Sequence, residues 1–227
     1  MQTNSITTEF KRKRPVGIKG WYWKLDWDML DSSWNGHNWS WNSSYSSWHN
    51  WTWQSYYASS TSNRVEIPNS NELYMENWQS FSLWFWIKPT YSSGQSVTKG
   101  VISMTQNIDS TQWWSIHNDS VSRKREFRTK VSWQSQNAKQ LSNLTRSSNE
   151  RFHFVITYDW STLKYYKNGT LLWSFSYTIW NANTTYPLYI WYASTWNATW
   201  SAYYEDVFFM KNYCLSQTEI TKIYQDT

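Results

Sequence analysis

The clearest signal along the chain is a short-range alternation of apolar and polar positions, broken at intervals by proline or by clusters of Asn, Ser and Thr. In SFSLWFWIKPT (Ser80–Thr90), Phe81, Leu83, Phe85 and Ile87 fall on one face and Pro89 ends the run, which is the period of two that a strand imposes. NRVEIPNS (Asn63–Ser70) reads as a short strand closed by Pro68. The same reading applies to KGVISM (Lys99–Met104), WWSIHN (Trp113–Asn118), REFRTKVSW (Arg125–Trp133), RFHFVITYD (Arg151–Asp159), PLYIWYAS (Pro187–Ser194) and YYEDVFFMK (Tyr203–Lys211). STLKYYKNGTLLWSF (Ser161–Phe175) has Asn168-Gly169 at its centre, the strongest short hairpin signal, because both residues accept a positive φ. One segment has helical spacing instead. In LSQTEITKIY (Leu215–Tyr224), Ser216 and Glu219 form a capping box, and Ile220, Ile223 and Tyr224 share a face. The pattern starts with GIKGWYWKLD (Gly17–Asp26), leaving residues 1–16 as a basic arm and 17–227 as one domain. Many short strands with a single helix predict an antiparallel sandwich.

Composition narrows the function classes. The net charge of +5 is modest for 227 residues, and part of it is the run KRKR, Lys11–Arg14, which reads as a solvated arm. RKREFRTK (Arg123–Lys130) fits a solvent-facing strand, and no nucleic-acid reader motif accompanies it. No nucleic-acid partner is therefore expected. The single cysteine, Cys214, rules out an intrachain disulfide and lacks a basic partner that would make it a nucleophile, so it is expected as a small buried thiol. No apolar run approaches the roughly 18 residues of a membrane helix, and the N-terminus lacks the apolar core of a signal peptide. Export is then arranged by a part outside this sequence, or the sequence is a fragment. His37, His49, His117 and His153 show no zinc-ligand spacing and are expected as polar surface residues.

Tryptophan disturbs this picture. SSWNGHNWSWNSSYSSWHNWTW (Ser32–Trp53) reads as loop from its Asn, Ser and His, yet indoles punctuate it throughout. Turn residues either tolerate a positive φ or hydrogen-bond their own backbone, and tryptophan does neither. The chain holds 21 Trp against 6 Gly, and the glycine share of about 3% is under half of ordinary usage.

In order, LDWDMLDSSWNGHN, NRVEIPNS, SFSLWFWIKP, HFVITYDWSTLKYYKNGTLL, PLYIWYAS and EDVFFMKNYCLSQTEI resemble the bacterial LamG-like jelly-roll domains of the concanavalin A-like lectin/glucanase superfamily. The resemblance covers residues 17–224. It implies an all-β antiparallel jelly-roll β-sandwich with one short C-terminal helix. It also implies a non-catalytic binding or adhesion module, extracellular or at the cell surface, recognising a glycan or an extracellular protein through edge loops or the concave sheet. Members often hold a structural Ca²⁺ between the first loop and the last strand. By that resemblance Asp31 and Asp206 would bind it, with Asn35 or Glu205 assisting, since Ca²⁺ takes hard oxygens from such loops. The alternative for these acids is a solvated or turn-capping role. A divergent glycoside hydrolase and a structural spacer remain the other functional readings. The E-x-D-x-x-E spacing of the superfamily's glucanases is absent, and adjacent Glu205 and Asp206 should point to opposite faces of a strand.

Against the same pattern, Trp34, Trp39, Trp160 and Trp191 stand where the family has glycine, and Trp78, Trp84, Trp113 and Trp173 are among others where glycine is natural. Trp86 and Trp114 fall where the family has an aromatic, while Trp21, Trp23 and Trp133 stay open. The expectation is that many of these tryptophans are glycines encoded by UGA, which some bacterial codes read as glycine and others as tryptophan. The rival is that they are genuine and form aromatic platforms for sugars.

Overall fold

The computed structural model describes residues 20–23, 40–41, 46–47, 54–58, 64–76, 78–89, 99–104, 113–118, 125–130, 137–141, 150–179, 185–190 and 202–226. In chain order the strands are β1 (Trp21–Trp23), β2 (Ser40–Trp41), β3 (Ser46–Ser47), β4 (Gln54–Ala58), β5 (Val65–Ile67), β6 (Phe81–Pro89), β7 (Lys99–Ser103) and β8 (Trp113–Asn118). They continue as β9 (Arg125–Lys130), β10 (Asn137–Leu141), β11 (Phe152–Tyr158), β12 (Thr162–Lys167), β13 (Thr170–Ser176), β14 (Leu188–Ile190) and β15 (Ala202–Lys211), before helix α1 (Gln217–Asp226). Among the described residues these strands make two antiparallel sheets. One runs β13-β12-β11-β6-β15-β4-β3 with β1 also on β15, and the other runs β10-β9-β8-β7-β14-β5-β2.

The alternation in β6 decides the layering. Phe81, Leu83, Phe85 and Ile87 pack with Phe154, Ile156, Leu163, Val207 and Phe209 of their own sheet. Val65, Ile67, Ile102, Trp114, Ile116, Phe127, Leu188 and Ile190 close on them from the second sheet. This is the sandwich interior, where each fully buried side chain of this size contributes about 1.5–3 kcal/mol. Trp114 is fully buried there and its indole Nε1 donates to the Leu73 carbonyl at 3.2 Å.

The other face of β6 is covered as well. Trp84, Val155, Tyr166, Phe208, Met210 and Tyr22 form a second cluster that is closed by Leu215, Ile220 and Ile223. Helix α1 is thus a third layer on the outer face of the first sheet. The predicted capping box forms: the Ser216 N–H donates to Glu219 Oε2 at 2.8 Å and the Glu219 N–H to Ser216 Oγ at 3.3 Å. Ser82 fixes the segment before the helix, its hydroxyl donating to the Tyr213 carbonyl and accepting from the Leu215 N–H, each at 2.9 Å. The Asn168-Gly169 hairpin also forms, with φ of 51° and 76°, the pair of positive values a type I′ turn needs. Gln217 Nε2 donates to the Gly169 carbonyl at 2.6 Å, tying helix to hairpin. A side chain on Gly169 would meet Tyr224 at 3.2 Å.

One expectation fails here. His153 is fully buried rather than a surface residue, because α1 covers a face that sequence alternation assigns to solvent. Trp84 is buried too, stacked on Phe208 at 4.0 Å with the rings 3° from parallel. Cys214 is half-buried, and burial pushes its thiol up, away from the reactive thiolate.

Candidate functional site

The acids singled out in the last strand lie at an irregularity in β15. Its register against β6 shifts between Glu205 and Phe208, and Asp206 has φ 50°. One extra residue on β15 here makes a β-bulge, a device that re-aims side chains. The expected opposition of Glu205 and Asp206 across the strand is therefore corrected. Glu205 stands opposite Trp86 in the row that faces outward. Asp206 is buried, and the Tyr22 hydroxyl donates to its Oδ1 at 2.7 Å. Tyr22 belongs to the outer cluster, so both carboxylates serve the same side of the sheet.

Around Glu205 the outer row builds a cluster of charge and aromatic rings. Arg151 Nη2 donates to Glu205 Oε2 at 2.8 Å, and the guanidinium lies 3.7 Å above the Trp86 ring. Trp86 packs against His153 at 5.1 Å and Tyr224 at 5.9 Å. The Arg151 cation over an indole face is a cation–π contact. The His153 backbone exchanges hydrogen bonds with Asn168, whose Oδ1 accepts from His153 N at 2.8 Å and whose N–H donates to the His153 carbonyl at 2.9 Å. Sequence reading missed this cluster: its members come from β6, β11, β15 and α1, and only strand register brings them together.

The calcium proposal meets these facts unevenly. Glu205 is already neutralised by Arg151, a cation that opposes a second one. Asp206 presents a buried carboxylate with one oxygen held by a hydroxyl, which suits a hard cation. Asp31 and Asn35 lie outside the described residues. Among the described residues no group of three or more His, Cys, Asp and Glu side chains converges as a metal site.

Four further acids among the described residues are also engaged. Glu150 pairs with Lys167 at 2.9 Å, Glu76 with Lys211 at 3.5 Å, and Glu66 with Arg64. Asp159 pairs with Lys164 at 3.5 Å and also caps its turn, accepting from Thr162 N at 2.8 Å and Ser161 N at 3.3 Å. Burial alone would raise the Asp159 carboxyl, but the Thr162 and Ser161 hydrogen bonds and the Lys164 charge outweigh it and hold it below the ordinary value. Glu219 is balanced the same way, with burial raising it and the Tyr213 and Ser216 hydrogen bonds prevailing. No two of these carboxylates are left bare across a cleft, as glycosidic cleavage would require.

The described surface is aromatic toward the β13 side of the same sheet. In edge strand β13, Leu171 and Trp173 are exposed, and Trp173 stacks along Phe175 at 6.1 Å. Trp160, in the turn between β11 and β12, is 67% exposed. No helix among the described residues is long and apolar enough to cross a membrane.

Comparison with known proteins accounts for the architecture. The chain is similar to the binding domain of Paraclostridial Mosquitocidal Protein 1, with a TM-score of 0.73 and 14% identity over 90% of this chain and 52% of that one. It is similar to a botulinum neurotoxin type C structure described by its dependence on two ganglioside molecules for cell entry (TM-score 0.67, 15% identity, 88% of this chain, 50% of that). It is also similar to the ligand-binding domain of botulinum neurotoxin serotype D in complex with N-acetylneuraminic acid (TM-score 0.65, 16% identity, 86% of this chain, 47% of that). The chain spans about half the length of each, and at these identities the likeness shows the fold alone. No curated protein matches the sequence. A laminin G-type family model, described as the concanavalin A-like lectin/glucanases superfamily, matches residues 57–221. With that match over most of its length, and with two antiparallel sheets and a closing helix, the chain belongs to this family of concanavalin A-like jelly-roll domains.

Proposed function

We propose that this chain is a non-catalytic binding module of a cell-surface or secreted protein, and that its ligand is carbohydrate. The observation that carries the non-catalytic reading is the state of six acids among the described residues. Glu205, Asp159, Glu150, Glu76 and Glu66 are each paired with a cation, and Asp206 is held by Tyr22. A glycoside hydrolase needs one carboxylic acid to protonate the leaving oxygen and a free carboxylate about 5–10 Å away. Paired and buried acids serve neither role. The carbohydrate reading is supported by similar folds whose structures are described by ganglioside and N-acetylneuraminic acid binding.

The test is a glycan array with the purified chain, run with calcium and with a chelator, beside an assay against chromogenic glycosides. Binding to a restricted glycan set without turnover is expected. Hydrolysis would overturn the non-catalytic reading. A folded chain that binds no glycan would overturn the carbohydrate reading in favour of a protein partner or a spacer role. We further propose a structural Ca²⁺ held by Asp206 with Asp31 and Asn35, Glu205 being left to Arg151. When bound, the ion would cross-link the opening loop to the β15 bulge.

A further inference from the structure

We infer that Trp78, Trp160 and Trp173 are glycine in the protein its own host makes, encoded by UGA, whereas Trp23, Trp84, Trp86 and Trp114 are true tryptophans. Burial separates the two sets. Trp23, Trp84, Trp86 and Trp114 are buried in the two apolar clusters or against Arg151, His153 and Tyr224. Trp78 and Trp160 are 61% and 67% exposed, and with Trp173 they make up most of the large apolar side chains on the described surface.

Backbone geometry gives an independent mark. Five described residues have positive φ: Gly169, Asn168, Asp206, Asn212 and Trp160. Four are of the kinds that the left-handed region accepts: glycine, or Asn and Asp with a short polar side chain. Trp160, at φ 78°, is the exception. Its turn is otherwise well made, with Asp159 Oδ1 accepting from Ser161 N and Thr162 N and the Tyr158 hydroxyl donating to the Trp160 carbonyl at 2.7 Å. Everything there fits a tight turn except the side chain. Trp173 lies beside the irregularity in the β12–β13 register, opposite Tyr165, and such bulges are a regular place for glycine. Trp78 occupies the turn closed by the Gln79 N–H donating to the Glu76 carbonyl at 3.1 Å. Where a buried indole is wanted it fills space; at these three positions it packs on little and strains one backbone.

The assignment also removes three rings as a candidate sugar platform, so it bears on where a ligand could sit without depending on what the ligand is. The gene is the direct test: UGA codons are expected at Trp78, Trp160 and Trp173, and UGG at Trp23, Trp84, Trp86 and Trp114. Mass spectrometry of the Phe152–Lys164 peptide from native material should give the glycine mass, and a tryptophan mass would overturn the inference. A recombinant series needs neither source. Trp160→Gly is expected to raise the unfolding temperature, Trp160→Ala to do so less, and Trp84→Gly to lower it. A fall in unfolding temperature for Trp160→Gly, or loss of glycan binding in the Trp160→Gly Trp173→Gly double variant with its fold intact, would overturn the inference and mark the rings as a working surface. An array on which neither protein binds leaves the codon, mass and thermal readouts to decide it.

Discussion

Asp159 and Glu219 each exchange water for a fixed set of donors, and both carboxyls are held below their ordinary values. With the folded-state pKa depressed, their stabilisation is present at neutral pH. It is lost as the pH falls through the folded value, below the usual carboxylate range near about 4. Stability measured by urea midpoint from about pH 7 to about pH 2 should therefore decline at the acid end, and an Asp159→Asn Glu219→Gln variant should show a flatter profile. A parallel shift of the whole curve would mean that these groups do not carry the acid sensitivity. At the same scale, Arg151→Ala removes both the Glu205 pair and the Trp86 contact. A loss of about 0.5–2 kcal/mol in denaturant unfolding is expected, the lower end reflecting how much of Arg151 solvent screens. Residue chemistry was legible in the sequence where a local rule governs it: the Ser216–Glu219 box and the Asn168-Gly169 turn depend on neighbours a few positions away. It was not legible for His153 and Asp206. Burial of the first depends on a helix about seventy positions later, and the direction of the second on a bulge that no composition marks.

The elements divide in the same manner. Strands with one apolar face were readable because a period of two has a single explanation in β6, β11 and β15. What the alternation concealed is that β6 is buried on both faces, Ser82, Trp84 and Trp86 lying under the α1 side. Helix α1 thus acts less by its own propensity, which ten residues barely sustain in isolation, than by the apolar row it lays on the sheet. Ile223→Ala should cost about 2–4 kcal/mol by leaving a cavity above Trp84 and Val155. Ser216→Ala should cost about 1 kcal/mol by removing the cap. Chemical denaturation ranks the two, and equal small effects would show the helix to be an ornament. Strand β13 behaves differently. Among the described residues it is a sheet edge, it carries no charged residue, and Leu171 is exposed on it. Uncharged edges invite pairing with other chains, so Leu171→Lys should reduce concentration-dependent association in light scattering while leaving the unfolding midpoint nearly unchanged.

For the whole molecule, the antiparallel sandwich was legible because an ordered series of strand and hairpin signals has few ways to pack, and the family because the quoted motifs resemble it, while the helix layer over the outer face was not. Nor was the ligand, because a sandwich of this type specifies a scaffold and leaves recognition to loops. Calcium can be tested at this scale. If Asp206 helps hold the ion, added Ca²⁺ should raise the unfolding temperature, a chelator should reverse it, and Asp206→Asn should abolish the response. A response that survives Asp206→Asn places any ion elsewhere. The position of β15 has a further consequence. It is the last strand in the chain, yet among the described residues β4, β3 and β1 reach the rest of their sheet only through it. During synthesis β1 and the β3–β4 pair must wait, undocked, until β15 has left the ribosome. Until the closing segment arrives, those strand edges stay open to other chains, the kind of exposure that favours misassembly.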